Sequence, residues 1–95
     1  MGAMAMTIDK KLRERFAPSH LAIEDESHKH AGHVGHREEG ETHFRVEIVS
    51  AAFDGQSRVA RQRLVYDTLK EELAPGGVHA LALTTSTPSE AAKRA

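Results

Sequence analysis

The sequence predicts a single α+β domain in which helices pack on one face of a three-stranded mixed sheet. Three observations carry that prediction. Apolar residues recur at helical spacing in two segments, they alternate at strand spacing in three others, and turn-forming stretches separate these in the order helix, strand, strand, helix, strand. The 95 residues suffice for one small core and leave no room for a second.

Thr7 is placed to cap a first helix in which Asp9 suits the N-terminal dipole and Ile8, Leu12 and Phe16 share a face; Pro18 ends it. His20 to Glu24 alternates, with Leu21 and Ile23 on one side, and reads as a short strand. Asp25 to Gly40 has no apolar period and reads as a long loop. His43 to Ser50 gives the clearest strand, with Phe44, Val46 and Ile48 toward the core and His43, Arg45 and Glu47 away from it. Gly55 permits a turn and Ser57 caps a helix expected over Arg58 to Ala74, with Val65, Leu69 and Leu73 as its buried stripe. Pro75-Gly76-Gly77 stops that helix before a second apolar strand, Val78 to Thr85. A strand that follows a helical crossover can lie parallel to one of the first two. The opening Met1 to Met6 reads as a vector remnant or disordered start, residues 7–88 as the domain, and residues 89–95 as a frayed tail.

Composition narrows the function. Hydrophobic residues at 39% and charged residues at 28% are globular values, so the chain is expected to fold in water. No stretch is long and apolar enough to span a bilayer and no cleavable signal opens the chain, which makes no membrane and a cytoplasmic location the expectation. A net charge of −1 argues against bulk attraction to nucleic acid. The absence of cysteine excludes disulfides, a thiol nucleophile and any iron-sulfur cluster held by the chain's own thiolates. Glu38, Glu39 and Glu41 imply no pocket, no nucleophile with a positioned base emerges from the spacing, and the chain reads as a non-enzyme. Phe16, Phe44, Phe53 and Tyr66 read as core or near-core packing.

The chemistry-bearing stretch is "SHKHAGHVGH", which places His28, His30, His33 and His36 within residues 27–36. Imidazole is an ordinary ligand for zinc, copper and nickel, but the spacing matches no standard zinc motif, so a solvated polar loop and a self-sufficient transition-metal site both stay open. His79 follows the Gly-Gly turn and shares side-chain parity with Leu81 and Leu83, which suits either a sheet-edge hydrogen bond or a ligand.

Four stretches resemble the BolA family: "DES" and "KH" within residues 25–30, "ETHFRVEIVS" at 41–50, "FDGQSRVARQRLVYDTLKEEL" at 53–73 and "GVHALALTTSTP" at 77–88. The resemblance covers about Lys10 to Pro88. It implies an αββαβ fold with an extra short helix, similar to class II KH domains. It also implies a partner, a monothiol glutaredoxin, with which the two proteins share a [2Fe-2S] cluster in iron-sulfur trafficking or iron-responsive regulation. The glutaredoxin cysteine and glutathione would supply thiolates and this chain imidazoles. By motif position one ligand falls on His79 and the second on His30, with His33 a competitor because this loop carries extra residues; His28 and His36 rank below them. His43, in "ETHF", is expected to support the site rather than to ligate directly. Gln62 departs from many relatives, which carry histidine between the two arginines.

Arg58, Arg61 and Arg63, with Arg45, form the concentrated positive charge. They read as a solvated helix face, a glutaredoxin-docking patch, or a DNA-binding face of a transcription regulator, a role associated with bacterial BolA-like proteins. Gly55-Gln56-Ser57-Arg58 lacks the second glycine of a KH nucleic-acid loop. Weak homodimerisation is a further possible partner state.

Overall fold

A computed structural model describes residues 2–26 and 42–94. The elements are α1 (Ala3–Phe16), β1 (His20–Asp25), β2 (His43–Val49), a 3₁₀ turn (Ala51–Phe53), α2 (Arg58–Thr68), β3 (Ala80–Ser86) and α3 (Pro88–Arg94). The strands form one mixed sheet in the order β1-β2-β3. β2 is central, antiparallel to β1 and parallel to β3, as the helical crossover requires.

Register fixes what each face carries. Phe44, Val46 and Ile48 of β2 align with Leu81, Leu83 and Thr85 of β3, and Ile23 and Leu21 of β1 pair with Val46 and Ile48. That face meets Ile8, Leu12 and Phe16 of α1, together with Phe53, Val65, Leu69 and Val78, in one core cluster. The reverse face carries Ala22, Glu24, Arg45, Glu47, Ala80, Ala82 and Thr84, which alternate out of phase with the core residues. Ser50 locks the corner after β2: its hydroxyl donates to the Phe16 carbonyl at 2.6 Å and accepts from the Ala52 N–H at 3.0 Å. The Phe16 and Phe53 rings then lie 5.2 Å apart between centroids.

Three boundaries differ from the sequence expectation by more than two residues, while β3 runs over Ala80–Ser86 instead of Val78 to Thr85. α1 starts at Ala3 and not after Thr7, because Ala5 lies one turn before Ile8 and is buried in the same core stripe. Thr7, expected to cap, lies inside the helix and donates its hydroxyl to the Ala3 carbonyl at 3.0 Å. Residues 3–6 are therefore part of the domain.

α2 ends at Thr68, short of Ala74. Beyond it the Lys70 and Ala74 N–H groups bond to the carbonyls of Asp67 and Glu71 three residues back, tightening the chain into turns. Lys11 of α1 holds this turn region through Glu71 and Glu72.

The expected frayed tail is α3. Thr87 and Glu90 cap it reciprocally: the Thr87 N–H donates to the Glu90 carboxylate and the Glu90 N–H donates to the Thr87 hydroxyl.

Candidate functional site

His79 owes its placement to the turn before β3. Gly76 takes a φ of 91°, and at Gly77 an added Cβ would run into the Glu72 carbonyl, so two consecutive glycines are required here. Val78 then drops into the core with its N–H bonded to the Glu72 carbonyl at 2.8 Å. His79 follows, its N–H bonded to the Thr42 carbonyl at 2.7 Å, with the Ala80 N–H on the same acceptor at 3.2 Å. The backbone of His79 is thus fixed on both sides while its side chain is exposed.

β2 brings a second imidazole to this end of the sheet. His43 pairs with Ala80, is half-buried, and has Nδ1 2.8 Å from the Thr42 hydroxyl. The His43 and His79 rings meet edge-to-face, 6.0 Å between centroids at 75°. Thr42 and Glu26 are the described residues that flank the histidine-rich segment. Thr42 holds the His79 N–H, and the Glu26 N–H donates to the His43 carbonyl at 2.8 Å. Both flanks of the segment are therefore tied to this histidine pair. His28, His30, His33 and His36 lie outside the described residues. Among the described residues no group of three or more His, Cys, Asp or Glu could hold a metal ion. His20 pairs with Val49, at the far end of β2 from His43.

The four arginines read from the sequence do not form one patch. Arg61 is 6% exposed and is taken out of any docking set by its own partners. Its guanidinium donates to both oxygens of Glu90 at 2.7 and 3.1 Å and to the Gln56 carbonyl at 2.9 Å. The cause is position: Arg61 lies four residues before Val65 on the buried stripe of α2, and a buried guanidinium requires an anion. The Arg61 hydrogen bonds, helped by the Thr87 N–H and opposed by partial desolvation, pull the Glu90 carboxyl down to about 2. Arg45 lies on the reverse face of the sheet and pairs with Glu26 at 3.0 Å. Arg58 and Arg63 remain exposed on α2, beside Val59 and Tyr66, which is also exposed and not core.

Sequence reasoning missed two residues of consequence. Glu90 was legible, since Thr87-Pro88-Ser89-Glu90 has the spacing of a capping box. Thr42 was not, because its role depends on the register of β2 against β3.

The BolA-like protein family profile matches residues 12–90. The chain belongs to the BolA family. The BolA domain of SufE1 from Arabidopsis thaliana superposes with a TM-score of 0.83 at 47% identity, covering 95% of this chain and 98% of that one. A Sinorhizobium protein described as uncharacterised, in the cobS 5' region, is 51% identical, covering 93% of this chain and 95% of its own length. SufE-like protein 1, chloroplastic/mitochondrial, from Arabidopsis thaliana is 46% identical over 95% of this chain, and the chain spans only 25% of its length. BolA-family domains therefore occur both as near-whole chains and as parts of longer ones. In this BolA-family chain no helix among the described residues is long and apolar enough to cross a membrane.

Proposed function

We propose that this chain is an adaptor that docks on a monothiol glutaredoxin and contributes imidazole ligands to a [2Fe-2S] cluster carried between them. His79 supplies one ligand and His30 or His33 the other, while the glutaredoxin cysteine and glutathione supply the thiolates. The observation that carries this reading is the exposed His79 imidazole on an immobilised backbone, bonded to Thr42 at one flank of the histidine-rich segment, while Glu26 at the other flank is bonded to the neighbouring His43.

The donor set fits such a cargo. The chain has no thiol to hold a cluster alone, so it can complete a shared site but not build one. His30 is the fourth residue after Glu26, a tether of at most about 14 Å of extended chain. Neutral imidazoles in place of two thiolates make a cluster less negative and raise its potential, as in Rieske centres, which suits transfer or sensing. Imidazole binds metal only when deprotonated, so acidification weakens the shared complex before it unfolds the domain.

The test is to mix the apo chain with cluster-loaded monothiol glutaredoxin and glutathione and follow the visible circular dichroism. The spectrum is expected to change on mixing and to stay that of the glutaredoxin alone with His79→Ala. An unchanged wild-type spectrum rejects the adaptor reading.

A further inference from the structure

Thr42 is 2% exposed and serves both histidines at this end of the sheet. Its carbonyl accepts the N–H groups of His79 and Ala80, and its hydroxyl is 2.8 Å from His43 Nδ1. The backbone of one histidine and the ring of the other are thereby registered to a single buried residue. The rings cannot shift relative to each other unless Thr42 shifts too, or a side chain rotates. Rotation is restricted on one side, because the His43 ring stands edge-on to that of His79 at 6.0 Å.

This matters for a metal ligand. An exposed imidazole turns about two torsions, and each orientation it must give up on coordination weakens binding. Ligands held by neighbouring groups within a fraction of an ångström of the productive geometry avoid that loss. His43 is built for the supporting part. It is half-buried, one ring nitrogen is engaged by the Thr42 hydroxyl, and its strand position is set by pairing with Ala80.

We infer that His43 is a positioning residue: held by Thr42, it backs the His79 imidazole and sets the direction in which His79 is presented to the cluster. The inference deepens the adaptor reading and rests on it. His43 is not itself a ligand in this account. Thr42 acts twice, through its carbonyl on the His79 backbone and through its hydroxyl on the His43 ring.

The test uses the full chain with Thr42→Val, His43→Ala and His43→Phe, and two readouts. The first needs no cluster: the ring-proton NMR signals of His79 in the apo chain. His43→Ala is expected to move them by removing the neighbouring ring, and Thr42→Val to move them by releasing it. His43→Phe keeps a ring and is expected to move them least.

The second readout is affinity for glutaredoxin carrying the [2Fe-2S] cluster with glutathione, together with the nitrogen couplings in pulsed EPR of the reduced complex. His43→Ala is expected to weaken affinity about tenfold, the size of effect usual for a residue that orients a ligand, with directly bound nitrogen still present. Unmoved His79 signals and unchanged affinity in His43→Ala overturn the inference. So does loss of the same nitrogen coupling that His79→Ala removes, since His43 would then be a ligand. If wild type takes up no cluster, the adaptor reading fails and takes the cluster half of the inference with it, while the apo NMR signals still decide whether His43 and Thr42 orient His79. Should His43→Ala fold poorly, Thr42→Val and His43→Phe keep both readouts, because they preserve side-chain volume.

Discussion

At the C-terminal end of β3, Arg61 and Glu90 close on each other and Arg94 donates to the Ser86 hydroxyl. At its N-terminal end, His79 is gripped by its backbone and leaves its imidazole exposed. Both ends concentrate polar side chains, and the sequence marks both, with arginines near one and a histidine at the other. The difference lies in where the hydrogen-bonding capacity goes. In the Arg61 corner it is spent within the chain, on a carboxylate and main-chain carbonyls, and the result is a docked α3. At the His79 end the chain spends main-chain bonds to hold the residue still and presents the side chain outward. On the adaptor proposal the fixed backbone with an outward donor suits a ligand, whereas a buried charge with a matched counter-ion is a structural element.

Breaking the outward end gives the largest functional effect. His79→Ala is expected to abolish co-elution of the chain with cluster-loaded glutaredoxin in size-exclusion chromatography while leaving Tm essentially unchanged, because an exposed side chain contributes little packing. A large fall in Tm would mean that His79 holds the fold.

The core beneath both ends is the converse case. Leu69, at the C-terminal end of α2, is fully buried in the core, and Leu69→Ala is expected to cost about 2–5 kcal/mol in urea unfolding. Cluster uptake should survive below the lowered melting point. Loss of uptake in a folded variant would show that the histidine end depends on the core more closely than the hydrogen bonds at Thr42 suggest.

The Arg61 corner should respond to pH in its own window. The Glu90 carboxyl is lowered from an ordinary 4.5 to about 2, so its contribution to stability is complete above 4.5 and is lost as pH falls from there toward about 2. Glu90→Gln is expected to lower Tm by several degrees at neutral pH and to flatten the acid limb of a Tm-against-pH curve. Cluster uptake depends on imidazole and not on Glu90, so it should not follow this limb. Coincident acid transitions for uptake and folding would merge the two ends that the structure separates. The smallest effect belongs to Arg45→Gln. It breaks an ion pair on the solvent-facing side of the sheet, where the Arg45 side chain is 52% exposed, and should leave both Tm and uptake unchanged within error.

Much of this was legible in the sequence, for reasons that can be stated. Ile8, Leu12 and Phe16, like Phe44, Val46 and Ile48, carry their period in plain view, and both stripes are core. Arg61 interrupts the pattern Arg61, Val65, Leu69 at four-residue spacing. An arginine on an apolar stripe announces a buried ion pair, but the sequence reading grouped it with its exposed neighbours by charge. α3 was hidden because Pro88 looked like a terminator, although Pro is also at home in a first helical turn. His79 and His43 were each legible as candidates; their contact was not. It arises because a parallel register sets His43 opposite Ala80, and nothing local in either segment encodes a pairing between strands so far apart in sequence.

The central claim is that an imidazole of this chain is bound to iron in the complex with a glutaredoxin. Its most direct test is pulsed EPR of the reduced complex assembled from this chain labelled with ¹⁵N-histidine and unlabelled glutaredoxin and glutathione. The account predicts strong ¹⁵N couplings from directly bound imidazole in wild type and their loss in His79→Ala. Their absence from wild type, or their persistence at full strength without His79, would contradict it.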